Sequence, residues 1–506
     1  MENIDLKRTS SEANLDEPTN EIDPVATLVA EPVTEHASEP AHHYSTRSTV
    51  TTASSKQKPI IPRLKPQPYS PADLEKQIKR PLMVEAMSIP LVPIGEAEQD
   101  SVDTAFYSTD DHPFNRRGFK YKACRPNPMF KSQFYSTSEI PPHNARWSYL
   151  DRAPGLLMDN TATIATAEQG WRSARANVGI REGSWYIEYR ILRANQEGTA
   201  NSTNGMRGLT VADPNKAENR SETPETELPG HVRIGIARRE ASLEAPVGFD
   251  AYSYGLRDKT GQKLHLSRPS EFMRGGFGTG DVIGLLVELP SIDVQRNIAK
   301  AQMEQRVTSA PVLSEAKDDG VSPEYDIVRD QIPIRYKGQL YYEQFEYTGT
   351  KPMEHLLNPV TVFGEKAIPD KDKFKPATLP DSKIVVFKNG NLVGTAFQDL
   401  YSFLPPSSVQ NQRFQAKTAN SEENDFSGKD DGSLGYYPMV SCFQRGCCQI
   451  NTSSELTFVP EELKERLEKG EVKLLSERYT ETVVEEYVWD IVEEVENDFL
   501  DQLEAE

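Results

Sequence analysis

Cysteine is nearly missing from this sequence: four in 506 residues, at Cys124, Cys442, Cys447 and Cys448. That is too few for a disulfide framework, and the Cys-x4-Cys-Cys cluster lacks the paired C-x2-C spacing of a zinc site, so a reduced, intracellular compartment is expected. Also missing is any run of about 18 consecutive apolar residues, and no apolar segment follows a basic start at the N-terminus. Neither a membrane span nor a secretory signal is expected. Catalytic signatures are equally scarce. The eight histidines, His36, His42, His43, His112, His143, His231, His265 and His355, fit neither H-x-E nor H-E-x-x-H, and no G-x-S-x-G elbow or Walker loop occurs. The glycine-rich GGFGTGD (275–281) leads into a strand pattern rather than a helix, so no helix N-terminus is there to hold phosphate. It reads as a turn. No catalytic residue, metal ligand or cofactor is therefore assigned.

An excess of basic charge is absent too. Lys and Arg number 57 against 77 Asp and Glu, a net charge of −20, whereas a general nucleic-acid coat needs clustered Lys and Arg over a wide surface. Residues 481–506 alone hold eleven Asp or Glu and no Lys or Arg. The rest of the chain is only mildly acidic.

Apolar residues make up 37% of the sequence, which is low for dense packing over the full length. Residues 1–105 are rich in Ser, Thr, Pro, Glu and Ala and hold no sustained period of 2 or 3.6, so they are expected to form a disordered leader. From about 115 the texture changes. SWYIEYRIL (184–192), HVRIGIA (231–237), DVIGLLVELP (281–290), IPIRYKGQLYYEQF (332–345), SKIVVFKNGNLVGTAF (382–397) and GYYPMVSCF (435–443) are short apolar runs bounded by turn residues. They predict an all-β fold, an antiparallel β-sandwich over 106–459. Asn-Gly between VVFK and NLVGTAF predicts a hairpin. Polar stretches near 195–230, 293–325, 349–380 and 406–432 are expected to be long inserted loops, with a helix within 296–307. A C-terminal helical segment, 460–506, closes the chain. There PEELKERLEK (460–469) reads as one helix and 480–503 as a second, amphipathic one, whose Val484, Val488, Ile491, Val492, Val495 and Phe499 fall on one stripe. Such a stripe serves either a partner's groove or packing back on the sandwich.

One stretch of this acidic chain runs against its composition. RIGIARREASLEAPVGFDAYSYGLRD (233–258) gathers Arg233, Arg238, Arg239 and Arg257 around an APVGF turn. Two planar guanidinium forks beside aromatic walls suit an acidic partner, since excluding water strengthens each charge contact. The plainer alternative makes the aromatics ordinary core and the arginines solvated strand edges.

GSWYIEY, GDVIGLLVELP, VVFKNGNLVGTAF and YYPMVSC, in that order and spacing, resemble a SPRY domain, a β-sandwich that binds peptides with loops at one end. EAPVGFDAYSYGLRD and the terminal VVEEYVWDIVEEVE narrow the resemblance to the Ash-two/Bre-two family of COMPASS and MLL subunits, over about residues 115–500. Those complexes methylate histone H-three at lysine four. The resemblance implies a nuclear, non-catalytic scaffold with no cofactor, which would hold a Swd-one/Rbbp-five-type β-propeller subunit against a SET-domain catalytic subunit and meet the nucleosome through the complex. By motif, the pocket for an acidic propeller segment falls on Trp171, Arg233, Pro246, Phe249 and Arg257. Trp171 and Phe249 stand where the animal pattern has tyrosines, so two hydroxyl contacts are lost and the apolar wall is kept. Arg238 and Arg239 are expected to face either an acidic surface of the catalytic subunit or solvent. The stripe from Val484 to Phe499 would dock a Sdc-one/Dpy-thirty-type dimer. The zinc and winged-helix module of animal relatives has no counterpart here, so DNA binding by that route is not expected. A SPRY adaptor for a ubiquitin ligase is the competing reading, but it calls for a RING or SOCS-type box, and none is visible.

Overall fold

Alternating burial along the strands separates a shared interior from two outer faces. The computed structural model describes residues 71–75, 80–94, 100–109, 119–129, 135–137, 140–194, 230–309, 333–357, 375–404 and 430–505, all within the unit Arg47–Glu506. Helix α1 (Pro71–Glu75) comes first, followed by a hairpin of β1 (Met83–Leu91) and β2 (Val102–Thr109), then β3 (Phe119–Pro126) paired with β4 (Tyr135–Thr137). Next are β5 (Trp147–Arg152), β6 (Leu156–Met158), β7 (Ile164–Ala167), β8 (Arg172–Ala176) and β9 (Gly183–Arg193). Strands β10 (His231–Ala237), β11 (Ser253–Arg257), β12 (Lys263–His265), β13 (Arg268–Ser270) and β14 (Val282–Leu289) lead to α2 (Ile292–Ser309). An excursion of β15 (Pro333–Tyr336), β16 (Gln339–Phe345) and α3 (Lys351–Leu357) precedes β17 (Lys383–Lys388), β18 (Asn391–Gln398), β19 (Tyr437–Phe443) and β20 (Cys447–Ile450). The chain then forms α4 (Glu461–Glu468), β21 (Lys473–Leu474) and α5 (Leu475–Ala505).

Among the described residues, one sheet of ten strands runs β1-β2-β6-β7-β20-β9-β14-β17-β18, with β21 added against β9. A second, of seven, runs β13-β12-β11-β10-β19-β8-β5. Their pairings are antiparallel except β21 with β9. The main core lies between them, where Ile187, Tyr189 and Ile191 of β9 and Ile283, Leu285 and Val287 of β14 share one apolar cluster with Val232, Ile234 and Ile236 of β10 and Val440 of β19. On β14 both faces are apolar. Leu286 points away from that core into a second cluster with Tyr186, Phe387, Val472 and Leu463 of α4, so a helix covers the outer side of the larger sheet. Gly284 makes this possible, because a Cβ there would lie 1.8 Å from the Tyr186 hydroxyl. The predicted hairpin joins β17 and β18 through Asn389 and Gly390, both at positive φ (51° and 78°), as a type I′ turn demands.

Several expectations need correction. Residues 83–91 and 102–105 lie inside the stretch expected to be leader, yet they belong to β1 and β2 at the margin of the larger sheet. Ile89, Leu91 and Phe106 bury a small cluster with Leu157, Leu192 and Cys447; these three apolar residues anchor the hairpin despite its polar surroundings. Residues 1–70 lie outside the described residues. The run 332–345 is not part of the sandwich but forms the hairpin β15–β16, which joins β3 and β4 in a separate four-stranded sheet. The expected loop 349–380 carries a helix, α3, whereas α2 covers the expected helix at 296–307 and extends beyond it at both ends; 195–229, 310–332, 358–374 and 405–429 lie outside the described residues. The last helix starts at Leu475, five residues earlier than its apolar period suggests, because Leu475 is itself in the main core. No helix of the described residues is long and apolar enough to cross a membrane.

Buried arginines tie the segments together. Arg175 meets Asp151 through two hydrogen bonds of 2.6 and 2.8 Å and also donates to the carbonyls of Arg238 and Ala241, which fixes the loop after β10 onto β8. Burial opposes ionisation of Asp151, but Arg175, helped by Lys120, outweighs it and holds the carboxyl well below the usual carboxylate range. Arg175→Met should therefore strand a buried carboxylate and cost about 3–5 kcal/mol at neutral pH. A depressed carboxyl pKa contributes stability that is fully present above about pH 4 and is lost as pH falls further, so the deficit of the variant, read by chemical denaturation, should narrow as pH falls below about 4.

Candidate functional site

The outer face of the seven-stranded sheet holds the arginine-rich stretch. Because Val232, Ile234 and Ile236 of β10 point inward, the two-residue period of a strand turns His231 and Arg233 outward. Register then selects their neighbours. Arg233 lies directly opposite Arg257 of β11 on one side and Ser441 of β19 on the other, and Ser441 lies opposite Ser173 of β8. Just before β8, Trp171 stacks on Phe443 of β19 with ring centroids 5.2 Å apart, and the Arg233 guanidinium sits 4.8 Å from the Trp171 ring centroid. This is a cation–π contact in a partly desolvated setting.

Two like charges facing across strands are unfavourable, and the electrostatics register this. Burial, and secondarily Arg257, push the Arg233 pKa down to about 10 against the pull of Asp258; the group remains charged at neutral pH. Its Nε is buried and has no hydrogen-bond partner. Arg257 donates from Nη1 to Gln262 Oε1 at 3.1 Å. The APVGF turn is clamped beside this pair: the Val247 N–H donates to Ser441 Oγ at 2.9 Å, and Ser173 Oγ donates to the Ala245 carbonyl at 3.0 Å. The Phe249 N–H donates to the Pro246 carbonyl at 3.0 Å, closing the turn. Gly248 allows it, since its φ is +84° and a Cβ would lie 2.7 Å from Leu264. Phe249 ends 40% exposed, with its ring available to a ligand, while Pro246 is half-buried.

The five expected pocket residues thus fall on one face. Trp171, Arg233 and Arg257 meet by contact or by register, and Pro246 and Phe249 join them through a turn pinned to Ser441. Phe443 and Ser441 belong to the site and were not anticipated, although period 2 in YYPMVSCF places both on the face opposite Val440 and Cys442. Arg238 and Arg239 do not belong. Arg238 is 2% exposed, paired with Glu240 and donating to the Ser402 carbonyl at 2.7 Å. Arg239 donates to the Tyr437 hydroxyl at 3.2 Å and lies over that ring. Strand β10 ends at Ala237, so the alternation that turns Arg233 outward stops before them.

A second surface runs along α5. Arg478 fixes its first turns by donating to the Gly179 carbonyl at 2.8 Å and to Glu485 at 2.7 and 2.8 Å. Farther on, Glu486 pairs with Lys122 of β3 at 2.8 Å, and Asp490 is 2% exposed. The polar side of the helix therefore faces the body. Its apolar side faces outward: Val484, Val488, Ile491, Val492, Val495 and Phe499 are 45–64% exposed, and Val483, Tyr487 and Leu503 extend the stripe. Among the described residues no cluster of His, Cys, Asp or Glu could hold a metal ion, and burial pushes the thiols of Cys124, Cys442, Cys447 and Cys448 up, away from reactivity.

These features define an antiparallel β-sandwich with a projecting C-terminal helix. No protein-family model matches the chain. It is 38% identical over 426 residues to the COMPASS component cclA of Colletotrichum higginsianum, covering 77% of this chain and 68% of that protein. It is 35% identical to the Set1 complex component ash2 of Schizosaccharomyces pombe, covering 87% of this chain and 53% of that protein. To the COMPASS component BRE2 of Saccharomyces cerevisiae it is 30% identical, covering 78% and 90%. Among solved structures it is similar to a human SPRY domain, at 10% identity over 60% of this chain and 98% of that one, with a TM-score of 0.26. The chain belongs to the family of these fungal COMPASS and Set1-complex components, and is a non-catalytic subunit of that kind.

The two classes of arginine should separate by stability. Arg238→Ala removes the guanidinium that compensates the buried Glu240 carboxylate and should lower the unfolding free energy by about 3 kcal/mol or more. Arg233→Ala removes a desolvated charge that faces another, and should leave stability within about 0.5 kcal/mol of wild type or raise it. Urea denaturation of both variants reads the difference.

Proposed function

We propose that the chain is a scaffold and stimulatory subunit of a COMPASS-type histone H-three lysine-four methyltransferase, working in the nucleus. Its sandwich binds an acidic segment of a Swd-one/Rbbp-five-type β-propeller subunit through Trp171, Arg233, Pro246, Phe249 and Arg257. Its α5 receives a Sdc-one/Dpy-thirty-type dimer. Holding the propeller subunit against the SET-domain subunit would preorganise the catalytic site, and the nucleosome is met through the complex. The kinship with COMPASS and Set1-complex components supports this setting and does not favour a ubiquitin-ligase adaptor.

One observation carries the propeller half of the reading. Arg233 is desolvated over Trp171 and faces a second arginine. Such a pair of cations costs folding stability on its own and is relieved when a carboxylate or phosphate comes against the guanidinium groups. For α5 the supporting observation is its orientation, with acidic residues towards the body and apolar ones towards solvent. At 100° per residue, the exposed residues from Val483 to Leu503 span roughly half the helix circumference. That is broader than the seam of a two-helix contact and suits a groove between two partner helices.

In calorimetry with the propeller segment, Arg233→Ala and Arg257→Ala should each weaken binding by about 1.5–3 kcal/mol, and the wild-type affinity should fall with added salt. Folded variants that bind as wild type does would remove the site. Val488→Glu or Val492→Glu should abolish capture of the Dpy-thirty-type dimer and leave thermal unfolding of the sandwich unchanged. A melting temperature lowered by many degrees would instead make α5 part of the core.

A further inference from the structure

We propose that Leu392, Phe458 and Val459 form a docking tip for a segment of another protein in which apolar side chains are flanked by Lys or Arg. The tip is built across the outer face of the larger sheet. Register sets Glu188 of β9 opposite Gly284 of β14, Gly284 opposite Phe387 of β17, and Phe387 opposite Leu392 of β18. Residues paired in this way share a face. Their neighbours Ile187, Tyr189, Ile283 and Val386 point into the main core, so the row itself lies outside. Leu392 ends it, because β18 is the last strand of this sheet among the described residues.

Glu188 holds the loop after β20 over that row. Its side chain is only 1% exposed, and it accepts the Thr457 N–H at 3.0 Å, the Phe458 N–H at 3.1 Å, the Thr457 hydroxyl at 2.9 Å and Asn451 Nδ2 at 2.6 Å. A buried carboxylate supplied with this many donors fixes the backbone that provides them. The loop then leads Phe458 onto the β17–β18 turn, where a Cβ at Gly390 would lie 3.2 Å from Phe458 Cβ. Gly390 precedes Leu392 by two residues. Helix α4 starts just beyond, after Pro460, and its Leu463 shares a buried cluster with Phe387. That cover stops short of the tip: Phe458, Val459 and Leu392 are 39%, 54% and 49% exposed. Large apolar side chains grouped without cover mark a partner site. Fixing them in advance removes part of the ordering cost of binding.

The charges around the tip select the partner. Residues 455–462 hold Glu455, Glu461 and Glu462 and no Lys or Arg, and all three glutamates are exposed. Among the described residues none of their carboxylates is in an ion pair. The cations nearby are engaged within the fold. Arg190 donates to the Thr457 hydroxyl at 2.7 Å, Lys388 meets Asp281 at 2.9 Å, and Arg466 and Lys383 meet Glu288 at 2.6 and 2.7 Å. The surface therefore has an apolar centre and an uncompensated acidic rim. A basic, apolar-anchored segment complements both, whereas a second copy of this chain would set one acidic rim against another.

The test places a photo-crosslinking benzoylphenylalanine at position 392 of the full chain, which is purified with its complex through a tag and irradiated. Mass spectrometry should find a crosslinked segment in another subunit, with an apolar residue beside Lys or Arg. Glu461→Gln combined with Glu462→Gln should lower the crosslink yield about three- to tenfold, as expected for the loss of two partly exposed ion pairs. Added salt should lower the yield of the unaltered rim in the same direction. Thermal unfolding of the full chain, expected to match wild type, shows that the variant is folded. Crosslinks confined to this chain or a second copy, a crosslinked segment without basic residues, or a yield insensitive to both the glutamate changes and salt would overturn the proposal. Each of those outcomes leaves the arginine site and the α5 stripe standing.

Discussion

Strand β10 has to satisfy two faces with one register. Val232, Ile234 and Ile236 fill the interior while His231 and Arg233 stand outside. Because side chains alternate with a period of two, a slip of one residue would bury the arginine and expose three aliphatic residues. The core therefore fixes the register, and the register fixes the meeting of Arg233 with Arg257 on one side and Ser441 on the other. Gly235 tightens this further, since a Cβ there would lie 1.9 Å from the Tyr254 carbonyl oxygen. The outer face around Arg233 inherits the rigidity of the sandwich.

A comparison among arginines separates architecture from recognition. Arg146 donates to the carbonyls of Pro142, Trp147 and Ile140, Arg175 to Asp151 and two carbonyls, and Arg238 to Glu240 and Ser402. Each is buried with its donors used, which is how a folded chain accommodates interior charge. Arg233 is different: it rests on an aromatic face, opposes a like charge and leaves Nε without an acceptor. A site preorganised for an anion has this character, since crowded cations cost stability when the ligand is away. The same logic applies to α5, whose acidic flank is turned to Lys122 and the body while its valines face water.

Much of this was legible in the residues. Strong alternation or continuous apolar runs located β9, β10, β14, β17, β18 and β19, and Asn389-Gly390 located their tightest hairpin. The four-residue and three-residue steps from Val484 to Phe499 located the terminal helix, though not the direction of its stripe, which depends on Glu486 and Asp490 finding places against the body. The short strands β6, β7, β8 and β20 were not legible, because three to five residues carry too little periodicity and are held by their neighbours in the sheet. Strands β1 and β2 were hidden by polar surroundings. Phe443 escaped notice for a different reason: it reads as an ordinary strand residue until the pairing of β10 with β19 sets it on the same face. Arg238 and Arg239 misled, because clustering along the chain says nothing of which face each side chain takes once a strand has ended.

The central claim is that the outer face around Arg233 is where the acidic segment sits. A structure of the full chain with the acidic propeller segment bound tests it most directly. The account predicts a carboxylate or phosphate within hydrogen-bond distance of the Arg233 guanidinium, flanked by Trp171 on one side and the Pro246–Phe249 turn on the other. A segment bound elsewhere on the sandwich, with none of its groups against Arg233, would contradict it.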